Sequence, residues 1–331
     1  MLDNLLEKKG KVKLDVKDIR ILYELIREGR QSISKIAKKV KLSKQGVKYK
    51  MERLTKSGVI EGYFSIVDVY TLGFMFNRVF FRFQSLTPEK LKEITDFVAK
   101  HNKVSLITYY FGAWDSAFIV CSKNIFEFNA FLREFYDAFE PYIRDEMYSM
   151  ITDIYMFSHS YSDDKYLGAE MIHVGGGLGN ADADEFDNKI LNLLANNGRI
   201  PIYEMARKLN VSDKKIVYRM KKLIEQKIIL GFKAVLNNDV LELEQYKVFL
   251  SLKKMNEQRE RDLVNFCKHN KKIISLTKVL GTRAMEVDII VSNKRQTWDI
   301  IKQLELEFED IISNTLTTAV VSEPHVRCLP L

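Results

Sequence analysis

Apolar residues recur at helical spacing three times near the front of the chain. Ile19, Leu22, Tyr23, Leu25 and Ile26 stripe one helix that stops at Gly29. Ile33, Ile36, Ala37 and Val40 stripe a second, which Ser32 can cap. The turn "KLS" leads to Ser43, which reads as the N-cap of a third helix striped by Val47, Met51 and Leu54 and closed at Gly58. The pattern then switches to alternation in "VIEGYFSIVDV", a strand expected to form a wing. Three such helices, with a tight turn between the last two, predict a winged helix-turn-helix.

A different order follows. "FNRVFFRFQ" alternates as a strand, "PEKLKEITDFVAKH" is an amphipathic helix, and "VSLITYYF" and "SAFIVC" are strands around Gly112. "IFEFNAFLREFYDAFE" is a second helix and "MYSMITDIYMF" a final strand. This is the βαββαβ order of a ferredoxin-like domain, with helices on one face of the sheet and the other face free to pair.

Both patterns return 169 residues later, where Gly29–Arg30 recurs as Gly198–Arg199, Ser43 as Ser212, Tyr49 as Tyr218 and Gly112 as Gly281. The chain is therefore read as α+β: two winged helix-turn-helix domains, each followed by a βαββαβ domain. The expected units are 1–66 and 67–157, a linker at 158–184, then 185–235 and 236–322, and a tail at 323–331. The linker reading rests on Gly, Ser and Asp content. Gly175 to Gly179 is not read as a phosphate loop, because no strand is expected to run into it and no Lys-Ser/Thr follows.

Composition narrows the class. A hydrophobic fraction of 46% with 11% aromatics fills cores and excludes global disorder. Cys121, Cys267 and Cys328 show no CxxC spacing, so neither a disulfide framework nor a zinc site is expected, and a reducing cytoplasm is the simplest location. No apolar run approaches a membrane span, so no membrane partner is expected.

Charge becomes informative when divided. Residues 1–63 carry 17 Lys/Arg against 8 Asp/Glu, and residues 182–234 carry 11 against 7. The stretches after them carry 10 against 15 and 14 against 14, so the positive charge lies in the two helix-turn-helix segments. That is a footprint for a polyanion such as double-stranded DNA. On the third helix the core takes Val47, Met51 and Leu54, which leaves Ser43, Lys44, Gln45, Lys48, Tyr49 and Arg53 for phosphates and base edges. Tyr49 has a second role open to it, packing on the first helix. The matching positions of the second copy are Ser212, Asp213, Lys214, Lys215, Tyr218, Arg219 and Lys222. Asp213 would repel a phosphate or accept from a cytosine amino group, so the second head is expected to differ in preference or to bind more weakly.

A winged helix-turn-helix followed by βαββαβ, with a Gly-x-x-Asp between the middle strands in "VSLITYYFGAWDSAFIV", resembles the Lrp/AsnC (feast/famine) family of transcription regulators. The resemblance covers nearly the whole chain, twice. It implies paired effector domains and a small ligand, typically an amino acid, near Gly112 and Asp115. In the second half, "GTRAMEVDIIV" has two extra residues and offers Gly281 and Glu286 at the corresponding places. Because the chain holds both sheets, an intramolecular pseudo-dimer is expected, with further homo-oligomers open.

The expected function is sequence-specific, DNA-binding transcription regulation without a cofactor or catalysis. Two alternatives stand beside it. One is a siroheme-decarboxylase-like enzyme on the same architecture. The other is an effector-independent architectural DNA binder, in which Tyr109, Tyr110, Phe111 and Trp114 plug the effector cleft instead of lining it. His101, His159, His173, His269 and His325 do not cluster in sequence, and an acid pair between Asp115 and Glu286 would require the two halves to meet. Asp115 could equally serve as a turn residue bonding its own loop.

Overall fold

The computed structural model describes residues 12–158, 170–253, 255–280 and 284–326. In the first half, α1 (Val16–Arg27), α2 (Ile33–Val40) and α3 (Lys44–Lys56) precede β1 (Ile60–Val67). There follow β2 (Met75–Phe83), α4 (Pro88–Lys100), β3 (Val104–Phe111), β4 (Ser116–Ser122), α5 (Ile125–Phe139) and β5 (Ile143–Phe157). After β6 (Met171–Gly175) the order repeats as α6 (Glu185–Asn196), α7 (Ile202–Leu209), α8 (Asp213–Glu225) and β7 (Ile229–Leu236). It ends with β8 (Glu244–Leu252), α9 (Glu257–His269), β9 (Ile273–Leu280), β10 (Ala284–Val291), α10 (Lys294–Glu307) and β11 (Ile312–Val326).

Local chemistry accounts for the helix starts. The Asp15 carboxylate accepts from the Asp18 amide while the Asp18 carboxylate accepts from the Asp15 amide, and Asp184 and Asp187 repeat this box. Ser43 and Ser212 cap α3 and α8, accepting from the amides of Gly46 at 3.0 Å and Lys215 at 3.3 Å.

The strand expected as a wing does something else. Each half supplies one strand at this place and no returning hairpin arm, so β1 pairs antiparallel with β7 of the other half, with Tyr63 opposite Ala234 and Phe64 opposite Lys233. That pairing satisfies backbone groups that a lone strand would leave open.

The helices follow the strands across. The Gly29 amide donates to the Phe232 carbonyl at 2.6 Å and the Gly198 amide to the Tyr63 carbonyl at 2.8 Å. Arg30 donates to the Gly198 carbonyl at 3.0 Å and lies 5.4 Å over the Phe232 ring. Arg199 reciprocates, donating to the carbonyls of Gly29 and Gln31 and lying 5.4 Å over Tyr63. The repeated Gly-Arg pair is thus a clasp between halves as well as a helix stop. The core under α1, α2 and α3 is completed by Ala234 and Val240 of the second half, and that under α6, α7 and α8 by Ile66 and Val67 of the first.

The two βαββαβ sheets join edge to edge. The strand order β2-β4-β3-β11-β8-β10-β9-β5 closes through an additional β2–β5 pairing, giving an eight-stranded barrel. The seams are β3–β11 and β5–β9, made by two 15-residue strands. Each pairs first within its own half and then with the other. Two expectations fail here. β11 runs to Val326, past the expected end at 322, because the β3 edge of the other half keeps offering it partners. Within the expected linker, β6 pairs along β5 with Met171 opposite Phe157, and it runs directly into Gly175. The tail residues 327–331, with Cys328, and the linker residues 159–169, with His159, lie outside the described residues.

The clasp makes a test. A Cβ at Gly198 would lie 2.5 Å from the Phe64 carbonyl carbon and 2.7 Å from its oxygen, whereas one at Gly62 would meet nothing within 4 Å. Gly198→Ala should cost about 1–3 kcal/mol in denaturant unfolding, because two backbones must part. Gly62→Ala should stay within about 0.5 kcal/mol. Equal midpoints for the two variants would contradict the close approach.

Candidate nucleic-acid interface and effector loop

On α3, Val47 and Leu54 are buried and Met51 packs against them. The opposite face shows Lys44, Gln45, Lys48 and Tyr49 to solvent, with Tyr49 68% exposed, so its packing on α1 does not occur. Arg53 departs from expectation. It donates through one nitrogen to Asp18, which is 1% exposed and also receives Lys50 at 3.1 Å, while 37% of the Arg53 side chain stays exposed. A buried carboxylate needs such partners, so part of this guanidinium is committed to Asp18.

The second head repeats the frame. Arg219, at the position of Lys50, donates to Asp184 at 2.7 Å and Asp187 at 3.1 Å, so it too is engaged by the capping box of its first helix. Lys222, at the position of Arg53, is half-buried, and the Lys215 ammonium sits 4.3 Å over the Phe186 ring. Asp213, Lys214 and Tyr218 face solvent, the last 67% exposed.

Comparing equivalent surface positions shows more than the third helix alone. Lys35, Lys41, Lys44 and Lys48 of the first head are matched by Glu204, Asn210, Asp213 and Val217 of the second. All but Glu204 of these eight are exposed, and Glu204 is half-buried. Lys35 and Lys41 escaped attention in sequence because they precede the third helix; aligning the two copies exposes them.

At the effector loop, Gly112 adopts φ +126°, and a Cβ there would lie 3.4 Å from the Thr318 hydroxyl of β11. The Asp115 carboxylate accepts from the Phe83 amide at 2.7 Å and its own amide donates to the Phe81 carbonyl at 3.0 Å, so its side chain ties the loop to β2 instead of bonding its own loop. Tyr110 and Trp114 are buried with Phe80 and Phe249 across the seam, while Phe111 is 77% exposed and Tyr109 belongs to a separate core. Gly281 lies outside the described residues.

Glu286 needs correcting. It lies in the middle of β10 rather than in a loop, is 1% exposed, and pairs with Arg78 and, at 3.4 Å, with Lys247. Asp115 and Glu286 are engaged by different groups and form no acid pair. Lys247 also meets Asp288 at 2.8 Å, and Ser275 donates to Asp288 at 2.7 Å. The barrel interior therefore holds a charged cluster, which spacing along the chain did not reveal.

Among the described residues no three His, Cys, Asp or Glu side chains gather as a metal site, and no helix is long and apolar enough to cross a membrane. His101 ends α4, with its ring against Phe131, and His269 bonds the Asn265 carbonyl, both local roles. His173 pairs with Asp153 at 2.8 Å.

Known proteins agree with this architecture. Residues 14–61 match the model described as "Winged helix-turn-helix DNA-binding", and residues 184–224 that of the "AsnC-type helix-turn-helix domain". An HTH-type transcriptional regulator of Pyrococcus horikoshii is 30% identical over 124 residues, 38% of this chain and 77% of that protein. The leucine-responsive regulatory protein of Haemophilus influenzae is 37% identical over 59 residues, 18% of this chain and 36% of that one. The crystal structure of the siroheme decarboxylase NirDL superposes with a TM-score of 0.59 at 14% identity, covering 94% of this chain and 93% of its own, a likeness of fold. The chain, with both copies of the helix-turn-helix and effector domains, belongs to the Lrp/AsnC family of transcription regulators.

Proposed function

We propose that this protein is a sequence-specific DNA-binding transcription regulator in which the first helix-turn-helix supplies most of the phosphate affinity. The observation that carries this reading is the set of exposed lysines, Lys35, Lys41, Lys44 and Lys48, against Glu204, Asn210, Asp213 and Val217 in the second copy. Phosphate contacts by lysine release condensed counterions, and an aspartate at the front of a recognition helix opposes them. Base reading falls to Gln45 and Tyr49 in the first head and to Lys214 and Tyr218 in the second. An operator with unlike half-sites follows.

An amino acid or related metabolite at the Gly112–Asp115 loop is the effector part of this proposal. That loop abuts Thr318 on the seam between halves, so a ligand there would bear on how the two sheets meet. The likeness to a siroheme decarboxylase carries no reaction with it, since one fold hosts many chemistries.

Three variants separate the roles. Lys44→Ala with Lys48→Ala should weaken binding to every duplex and reduce the log–log salt slope by about one unit per lost phosphate contact. Gln45→Ala should change the ranking of sequences while leaving that slope in place. Arg53→Ala should instead lower stability by about 1–3 kcal/mol, since the buried Asp18 loses a charged donor, with the salt slope kept. Anisotropy titrations and thermal melts read all three. A slope that falls for Arg53→Ala but not for the lysine pair would reverse the assignment.

A further inference from the structure

Where the β1–β7 ribbon lies over the barrel it roofs a cavity of about 370 Å³, within the size range of small-molecule sites. Its walls are mostly apolar and come from both halves, including Phe64, Ile66, Phe76, Ile119, Ile154 and Met156. One side carries Arg78, Lys247, Asp288 and Glu323, and the ribbon contributes Lys233.

Three cations and, with Glu286 beside the wall, three acids meet here, but they are not paired one for one. Arg78 is taken by Glu286, and Lys247 by Asp288 and Glu286. Lys233 is nine-tenths buried, and its ammonium makes no hydrogen bond or ion pair with any described residue. An enclosed ammonium without a counter-ion is costly, and burial alone pushes its pKa down to about 8, so at neutral pH it still carries its charge for most of the time. Glu323 presents accessible surface while protein surrounds it closely, as a side chain facing an internal cavity does. Burial, reinforced by Asp288 and opposed by Lys247 and the Thr108 hydroxyl, pushes its carboxyl up to about 7. The cavity thus holds one ammonium, that of Lys233, which no acid of the wall contacts.

The repeat strengthens the point. Lys233 occupies the position of Phe64, and the two lie opposite each other in the ribbon. Arg78 corresponds to Lys247, but Asp288 and Glu323 correspond to the apolar Ile119 and Ile154. Two identical subunits would have placed every such group twice; one fused chain can build a single lopsided site.

We propose that this cavity binds a small organic acid with an apolar body, its anionic group on the Lys233 ammonium and its body against the Phe64, Ile66 and Ile154 side chains. The site is distinct from the Gly112–Asp115 loop and independent of the DNA reading.

Isothermal titration of the full chain tests it, with 4-phenylbutyrate and its uncharged analogue 4-phenyl-1-butanol as probes. The acid should bind about tenfold or more tighter than the alcohol at pH 7. That preference should fade as pH rises from about 7, where Glu323 gains its negative charge, through about 8, where Lys233 loses its proton. Lys233→Met should abolish the preference while melting at or above the wild-type temperature at pH 7, since it removes an uncompensated buried charge. Above the ordinary lysine pKa that thermal advantage should vanish. No binding of the acid, equal binding of acid and alcohol, or an unchanged preference in a folded Lys233→Met would each overturn the proposal.

Discussion

The pairing of one copy's strand edges with the other's is the constraint on which the rest of the molecule depends. A βαββαβ sheet leaves two open edges, and a single strand after a helix-turn-helix leaves two more. Here β3 is closed by β11, β9 by β5, and β1 and β7 by each other. Closure removes the barrel's edges and turns two inner faces into one enclosed interior. It also sets the helix-turn-helix units in place, because Gly29 and Gly198 dock on strands of the opposite half. Folding one copy without the other would expose all of these edges at once.

Fusion then lets the copies differ. The frame is kept with near symmetry: the Asp boxes, the serine caps, the Gly-Arg clasp and the paired 15-residue strands all recur at one offset. The chemistry laid on it is not symmetric. Lys35, Lys41, Lys44 and Lys48 of the first head are matched by Glu204, Asn210, Asp213 and Val217 at the equivalent places of the second, and the interior acids Glu286, Asp288 and Glu323 all come from the second half. A homodimer could vary neither feature independently, since each substitution would appear twice.

What sequence reveals follows the range of the interaction. Helical stripes, caps and the βαββαβ order are local, and they were legible to within a few residues. Pairing between halves is not local, so "VIEGYFSIVDV" read as a wing when its partner lay 169 residues away in an equally strand-like segment. The same blindness ended β11 four residues early and missed β6, since each is held by a strand that local pattern cannot name. Arg53 and Arg219 look free on a helical wheel; only the folded chain brings the buried Asp18 and Asp187 to them. Aligning Glu286 with Asp115 failed because the offset of 169 holds through this loop, so Glu286 takes the place of Ala117 within the strand and Ala284 that of Asp115. Lys35 and Lys41 were legible in principle, through comparison of the two copies.

The most direct test of the central reading is selection of bound duplexes from a random-sequence pool by the full chain at moderate salt, with the retained pool sequenced. The account expects one enriched motif with two unlike half-sites, the half facing the first head being the more constrained. A pool that is not retained even at low salt, or is retained without enrichment of any sequence, would contradict it.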